Sequence, residues 1–352
     1  MVDVREACII RAESAAAASS SSSLSSSQEN TAINKRIESA LYACTPLIHS
    51  VSLSRKCKRD VLLKMDAMQP SGSFKDRGMA ALCTHLRDMG ARKLISSSGG
   101  NAGLACSNAG RVLGMEVQVV VPTSTKALML EKMKLHGAQV RVHGANWNEA
   151  DELARKMVEE DAHAEYVHPF EHPLLWKGHS TMIDEIADTG IQKPAAVVAC
   201  VGGGGMLCGI YEGLQQNGWS DVEVITAETE GASCFATAMR AGEPTRLGAI
   251  ESIATSLGAL QVSTEAFNRA QSHPTTPIVS TDAEVVQACI DFTHDHRVLV
   301  EPACGAGLAV VYSDRHRDAL ASIAAAGPIV VIVCGGSGVN LELLSQWKAQ
   351  FL

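Results

Sequence analysis

The chain has 352 residues, 46% of them hydrophobic and 19% charged, a length for about two domains and a composition usual for soluble enzymes. Its net charge of −8 and 4% of aromatic residues argue against nucleic-acid binding, which needs a basic surface and stacking rings. No apolar run approaches the ~20 residues of a membrane-spanning helix. The eleven cysteines are scattered singly from Cys8 to Cys334 with no CxxC pair, which reads as reduced thiols in a cytosolic protein. The twelve histidines follow neither HExxH nor paired Cys/His spacing, so zinc is not expected.

Residues 1–36 stand apart as an alanine- and serine-rich stretch, read here as a disordered tail because it has too little apolar surface to offset ordering entropy. It lacks the apolar segment of a secretory signal. Asp3, Glu6 and Glu13 are unusual in a mitochondrial transit peptide without excluding one, so a cytoplasmic protein is expected and a mitochondrial one left open. From about Lys35 onward, β-rich runs alternate with helical patterns. Strands are expected at 61–65, 94–97, 117–121, 139–142, 196–201, 222–227 and 329–333, several of them continuous apolar runs suited to strands covered on both faces. Helices are expected at 78–89, 102–113, 126–136, 146–160, 205–215, 283–293 and 305–325, with a short one after 338. Pro122, Thr123 and Ser124 offer caps for the helix at 126–136. The pattern is that of an α/β chain with mostly parallel sheet.

Three of the strand-to-helix turns are glycine-rich. They hold Gly99, Gly100 and Asn101, then Gly202, Gly203, Gly204 and Gly205, then Cys334 followed by Gly335, Gly336 and Gly338. Such turns lie at the carboxyl ends of parallel strands, where helix N-termini present free N–H groups to ligands. Four consecutive glycines can form a phosphate cup, or simply a tight packed turn. A dinucleotide fingerprint ending at Gly209 would need glycine where Met206 stands. Lys75, in the run from Pro70 to Gly78, would alone read as a solvated helix-start residue. Its neighbours change that reading: Ser71 and Ser73 can cap, Phe74 offers a flat face, and a walled pocket would favour the free amine. Asn101 is either an N-cap or a donor to a phenolic oxygen. Cys334 is either a buried strand-end thiol or a partner of a pyridine nitrogen. One reactive amine with three glycine turns points to pyridoxal phosphate, held as a Schiff base with its phosphate on backbone N–H groups.

The motifs PSGSFKDRG, SSSGGNAG, CVGGGGMLCG, LVEPACGA and VIVCGGSG, in this order, resemble those of the L-serine/L-threonine dehydratases among the fold-type II pyridoxal-phosphate enzymes. The likeness covers about residues 45–350, and EHPLLWKGHS and AETEGASCF add to it. It implies a tryptophan synthase β-like fold of two three-layer αβα domains with mostly parallel sheets. The small domain would span 68–172, and the large one 37–67 with 173–352.

The resemblance also assigns roles. Lys75 would form the Schiff base and act as the base at Cα, and Phe74 would pack on the ring. Ser98, Gly99, Gly100, Asn101 and Ala102 would receive the substrate carboxylate, with Asn101 also reaching the ring oxygen. Gly202, Gly203, Gly204 and Gly205 would hold the phosphate, and Cys334 would face the ring nitrogen. A monovalent cation, potassium by expectation, would be bound by the Glu228 carboxylate and by backbone carbonyls near Ala232, Cys234, Leu257 and Ala259. A homodimer is implied, acting on a small β-hydroxy amino acid: L-serine or L-threonine gives pyruvate or 2-oxobutanoate plus ammonia by β-elimination. Asp76 departs from the dehydratase pattern, since Lys-Asp-Arg is more like threonine synthase, although those chains run longer. The chain ends twelve residues beyond Asn340, so no appended regulatory domain is expected and a catabolic role is favoured. The main alternative is an amino-acid racemase of the same fold. The related racemases carry serine at the position of Gly99, and Ser98 next to it keeps that reading open. A cofactor-binding protein without turnover and a nicotinamide dehydrogenase are further alternatives.

Overall fold

The computed structural model describes residues 40–352; the stretch 1–36, expected to be disordered, lies outside them. Ten strands follow in chain order: β1 (Leu47–His49), β2 (Val61–Lys64), β3 (Lys93–Ser96), β4 (Glu116–Val121), β5 (Gln139–Val142), β6 (Ala164–Tyr166), β7 (Ala196–Cys200), β8 (Glu223–Thr229), β9 (Thr275–Ser280) and β10 (Ile329–Ile332). They form a six-stranded sheet of order β1-β2-β10-β7-β8-β9 and a four-stranded sheet of order β5-β4-β3-β6. Every pairing is parallel except β1 with β2. The central strands β7 and β10 are buried along their whole length, which is why they read as continuous apolar runs.

Helices cover both sheets. The helix Pro173–Asp188 lies between Lys75–Asp88 and Gly205–Gln216, and glycines allow the close approach. A Cβ at Gly178 would fall 2.7 Å from the Gly78 Cα, and one at Gly213 would fall 2.7 Å from the Ile183 Cβ. The N-terminus of Lys75–Asp88 meets loops of both sheets, the one after β10 and the one after β6.

Arg77 anchors that helix. Its guanidinium is fully buried and forks between two carboxylates. Nε and Nη2 donate to Asp66 at 2.7 and 2.9 Å, and Nη1 and Nη2 donate to Glu185 at 2.7 and 2.8 Å. Thr45 and Thr181 accept further bonds at 3.1 and 2.9 Å. Lys64, itself buried, donates to Glu185 and to the Thr45 carbonyl, so two cations balance two carboxylates. Burial alone would raise the Glu185 carboxyl, but hydrogen bonds and charge from Arg77 and Lys64 outweigh it and hold its pKa below the usual carboxylate value.

The structure differs from the sequence reading at the margins. β1, β6 and β9 were not expected, and all three are edge strands. β1 and β6 have three residues each, and β9 contains Pro277, which a sheet edge tolerates. The helices Val51–Cys57, Pro173–Asp188, Cys234–Ala241 and Thr264–Gln271 were also not expected. The single helix expected over 305–325 is instead Pro302–Tyr312 followed by a 3-10 turn at Asp314–His316 and a short helix at Arg317–Ala321. It stops at Ser313, whose backbone is extended and whose hydroxyl accepts the Arg315 N–H at 3.2 Å, competing with helix bonding. The caps expected from residues 122–124 are not used: Lys126 is the N-cap of Ala127–Leu135, with no side-chain bond.

Arg77→Met should therefore cost about 3–5 kcal/mol, because it leaves the buried Asp66 carboxylate with no cationic partner and Glu185 with Lys64 alone. Urea unfolding measures this, with the exposed pair partner Lys156→Ala as a control that leaves the midpoint nearly unchanged. Because the Glu185 pKa is depressed on folding, its contribution is present above the ordinary glutamate value of about 4.3 and is lost as pH falls below it.

Candidate active site

Lys75 is the first residue of its helix, and Phe74 is the N-cap without a side-chain bond. Ser71 and Ser73 do not cap it. Instead the Asp76 carboxylate reaches back and accepts the Ser71 N–H at 2.6 Å, while burial pushes Asp76 up to about 7. This loop docks onto the loop after β10. The Phe74 N–H donates to the Cys334 carbonyl at 3.1 Å, the Gly336 N–H to the Gly72 carbonyl at 2.8 Å, and the Ser337 hydroxyl to the Ser71 carbonyl at 2.7 Å. Ser73 and Gly335 complete it as an antiparallel bridge. The lysine-bearing and thiol-bearing loops are thus one unit.

The Lys75 ammonium donates to the Pro169 carbonyl at 2.6 Å and lies 5.1 Å from the centre of the Phe74 ring. Burial lowers its pKa to about 8, with Cys334 opposing the shift. An ordinary lysine near 10.4 would be almost wholly charged at that pH, so the site favours the nucleophilic amine.

Across from it, Gly204 holds a φ of +94° and starts the helix Gly205–Gln216. Phe170 closes over this loop. A Cβ at Gly203 would fall 2.5 Å from the Phe170 ring, and one at Gly205 would fall 2.6 Å from the Phe170 carbonyl; Gly202 is less crowded, with a Cβ 3.1 Å from the Leu257 Cα. The helix start exposes N–H groups that have no intrahelical acceptor and carry the positive end of the dipole. A backbone cradle that admits no side chain, beside an amine of lowered pKa, fits a phosphorylated carbonyl cofactor.

Asn101 opens the helix Asn101–Leu113 with Gly100 as N-cap, so the capping reading does not hold. Its Oδ1 accepts the Ser337 N–H at 2.9 Å, and its Nδ2 donates to Glu301 at 2.6 Å and Ser256 at 3.4 Å. It therefore ties the loop after β3 to the loops of the large sheet. Glu301 is buried, which raises its pKa, and accepts the Gly338 N–H at 3.1 Å. Within the expected carboxylate loop, Ser98 accepts the Gly100 N–H at 3.4 Å, and Ala102 is buried. A Cβ at Gly99 would lie 2.6 Å from the Thr125 hydroxyl.

Cys334 follows β10 and is buried. Contacts with the Cys200 and Cys304 thiols, then burial, push its pKa well above the usual thiol value, which keeps it protonated. Two glycines of the helix Pro302–Tyr312 make room for thiols: a Cβ at Gly307 would fall 2.9 Å from the Cys200 Sγ, and one at Gly305 would fall 2.5 Å from the Cys289 Sγ. All ten cysteines among the described residues are free.

Of the residues expected around a cation, Glu228 is buried near the end of β8, where burial raises its pKa to about 7. Its carboxylate accepts the Phe235 and Ala236 N–H groups at 2.8 and 2.7 Å, capping the helix Cys234–Ala241. The Cys234 thiol donates to the Gly202 carbonyl at 3.5 Å, and Leu257 also touches Gly202, so these residues share one side of the glycine loop. Ala232 bonds back to Thr229, and Ala259 to Leu257.

Pro169, Phe170 and Glu301 were not singled out from sequence. Glu301 had a signal, a lone carboxylate in the apolar run from Val298 to Ala303. Pro169 and Phe170 act through a carbonyl and a ring and had none. Gly203→Ala should destabilise the protein by about 1–3 kcal/mol through overpacking. Phe170→Leu in the same chain should relieve part of that cost, a coupling that urea midpoints of the four variants in a double-mutant cycle would reveal.

Comparison with known proteins agrees with this geometry. The human protein named L-serine dehydratase/L-threonine deaminase is 42% identical over 319 residues, covering 88% of this chain and 95% of its own. The solved fungal L-serine ammonia-lyase from Rhizomucor miehei superposes with a TM-score of 0.83 at 36% identity, covering 89% of this chain and 99% of that one. Maize serine racemase, at 23% identity, shares the fold with a TM-score of 0.80 over 91% of this chain and 96% of its own. The fold-type II architecture of two αβα units with mostly parallel sheets is borne out. A family model described as pyridoxal-phosphate dependent enzyme matches residues 39–335, a span that holds Lys75, the glycine turns at 99–101 and 202–205, and Cys334. With that match laid over a desolvated lysine and a glycine loop crowded against side chains, the chain belongs to the pyridoxal-phosphate dependent enzymes.

Proposed function

We propose that this protein is an L-serine ammonia-lyase that also accepts L-threonine, releasing pyruvate or 2-oxobutanoate with ammonia. The observation that carries this reading is Lys75, partly desolvated and held at the Pro169 carbonyl, beside a glycine loop that no side chain can enter. The human and fungal relatives named above support it.

Lys75 would hold the cofactor, Gly202, Gly203, Gly204 and Gly205 its phosphate, Phe74 one ring face, and Cys334 the ring nitrogen. Bound pyridoxal phosphate supplies an electron sink for the pair left when a proton leaves the substrate Cα. The substrate carboxylate is received by Ser98, Gly99, Gly100, Asn101 and Ala102 at a helix N-terminus. The Lys75 amine takes the Cα proton, and the β-hydroxyl leaves with a proton as water. The released 2-aminoacrylate, or its methyl homologue, is hydrolysed to the keto acid and ammonia. Cys334, kept neutral, offers no negative charge to a ring nitrogen, which limits charge build-up and favours prompt loss of the β-hydroxyl. Gly99 puts no acid or base on the other face of Cα, and Thr125 crowds that position, which disfavours racemisation.

The same proposal divides the chain into a small domain, 68–172, and a large one, 37–67 with 173–352. It includes a homodimer in the cytoplasm and a monovalent cation, most simply potassium, at Glu228 and the carbonyls of Ala232, Cys234, Leu257 and Ala259. The four-stranded sheet, which lies wholly within 93–166, supports the division.

Lys75→Ala should abolish keto-acid formation from L-serine and remove the absorbance band of lysine-linked cofactor, while the phosphate contacts retain some cofactor. Near-normal turnover in that variant would overturn the assignment. Exchanging potassium for a bulky organic cation should lower activity and melting temperature together, because an ion bound only by the native state stabilises it by mass action. Equal values in both buffers, with no ion carried through purification, would remove the cation from this account.

A further inference from the structure

We propose that His168 is a positioning residue for Lys75, acting through the turn that presents the Pro169 carbonyl to the lysine and the Phe170 ring to the glycine loop. This rests on the reading of Lys75 given above. His168 precedes a proline, so its own backbone is biased to extended conformations, and Pro169 suits the first corner of a turn. The remaining N–H groups of the turn need acceptors, and the imidazole supplies one. His168 Nδ1 accepts the Glu171 N–H at 2.8 Å and the Phe170 N–H at 3.2 Å, as an Asx side chain does in a turn. A nitrogen that accepts two bonds carries no proton, which fixes the tautomer with hydrogen on Nε2.

The ring is oriented in turn by aromatic edges. Its centroid lies 4.7 Å from that of Phe170 at an interplanar angle of 79°, and 6.2 Å from that of Tyr166. Tyr166 is held by Asp151 and Ser97, the residue before the expected carboxylate loop. On the far side of the turn, Trp176 Nε1 donates to the Phe170 carbonyl at 2.9 Å. The turn is thus clamped at both ends. Between the clamps the Pro169 carbonyl accepts from the Lys75 ammonium at 2.6 Å, and the Phe170 ring packs on the glycine turn. Loss of the acceptor at His168 frees two N–H groups, releases the turn, and lets water reach Lys75.

Two substitutions separate this role from simple packing. His168→Phe keeps a ring against Tyr166 and Phe170 but has no acceptor, whereas His168→Asn keeps an acceptor and loses the ring. The full-length chain, freed of cofactor, would be acetylated over a pH series, and mass spectrometry would follow the labelling of Lys75. The wild-type midpoint is expected near the lowered value of about 8. His168→Phe should raise it by at least one unit, a tenfold change in the protonation equilibrium, and should lower kcat for L-serine at least about tenfold in the loaded enzyme. His168→Asn should stay within about half a unit of wild type. Wild-type behaviour in the Phe variant, or a larger shift in Asn than in Phe, would overturn the proposal. A wild type that labels as expected but forms no keto acid would instead sink the functional reading and leave the positioning role standing.

Discussion

The guanidinium of Arg77 sits two residues after Lys75, so whatever fixes it fixes the reactive amine. A planar fork with five donors can satisfy Asp66, Glu185, Thr45 and Thr181 at once, which no lysine could do at this position. The partners come from the segment before β1, the turn after β2 and the helix Pro173–Asp188, so one side chain ties the start of its helix to three separate parts of the chain. Such a cluster contributes little net stability against an apolar replacement of the same shape. Its effect is geometric, since a set of charges in a dry interior tolerates very few arrangements.

Around that anchor the site is assembled from loops at the carboxyl ends of parallel strands, and its start is dry. Ser71, Ser73 and Asp76 are all buried at the beginning of the lysine helix. The burial that raises Asp76 to about 7 also lowers the Lys75 pKa to about 8, so the two shifts have one origin.

How much of this could be read from the chain follows from the physics of each element. The strands β7 and β10 carry continuous apolar runs that pass into glycine, so the turns that hold two sets of the candidate cofactor residues were legible. Edge strands carry weaker patterns: β9 hides behind Pro277, and β1 and β6 are too short for a period to register. The break at Ser313 depends on a side-chain bond to the Arg315 N–H, which no periodicity encodes. Lys75, Asn101 and the glycine loop stood out because their chemistry is written in residue type. Pro169 did not, because its contribution is a carbonyl that every residue possesses. The capping roles expected for Asn101, Ser71 and Ser73 are not used: Gly100 and Phe74 stand at the N-caps, the Asn101 amide is held by Ser337, Glu301 and Ser256, and Asp76 takes the Ser71 N–H.

The pairing of Gly305 with Cys289, and of Gly307 with Cys200, bears on how this chain can change over generations. At Gly307 the Cys200 sulfur alone occupies the space a side chain would fill, whereas at Gly305 the Val285 carbonyl crowds it together with the Cys289 sulfur. A lineage enlarging Gly307 first meets a steric barrier, whereas one that first shortens Cys200 to alanine crosses only a small cavity. The order of substitutions is therefore constrained even where the end point is acceptable, and Gly307 and Cys200 should be inherited as linked characters rather than as independent sites.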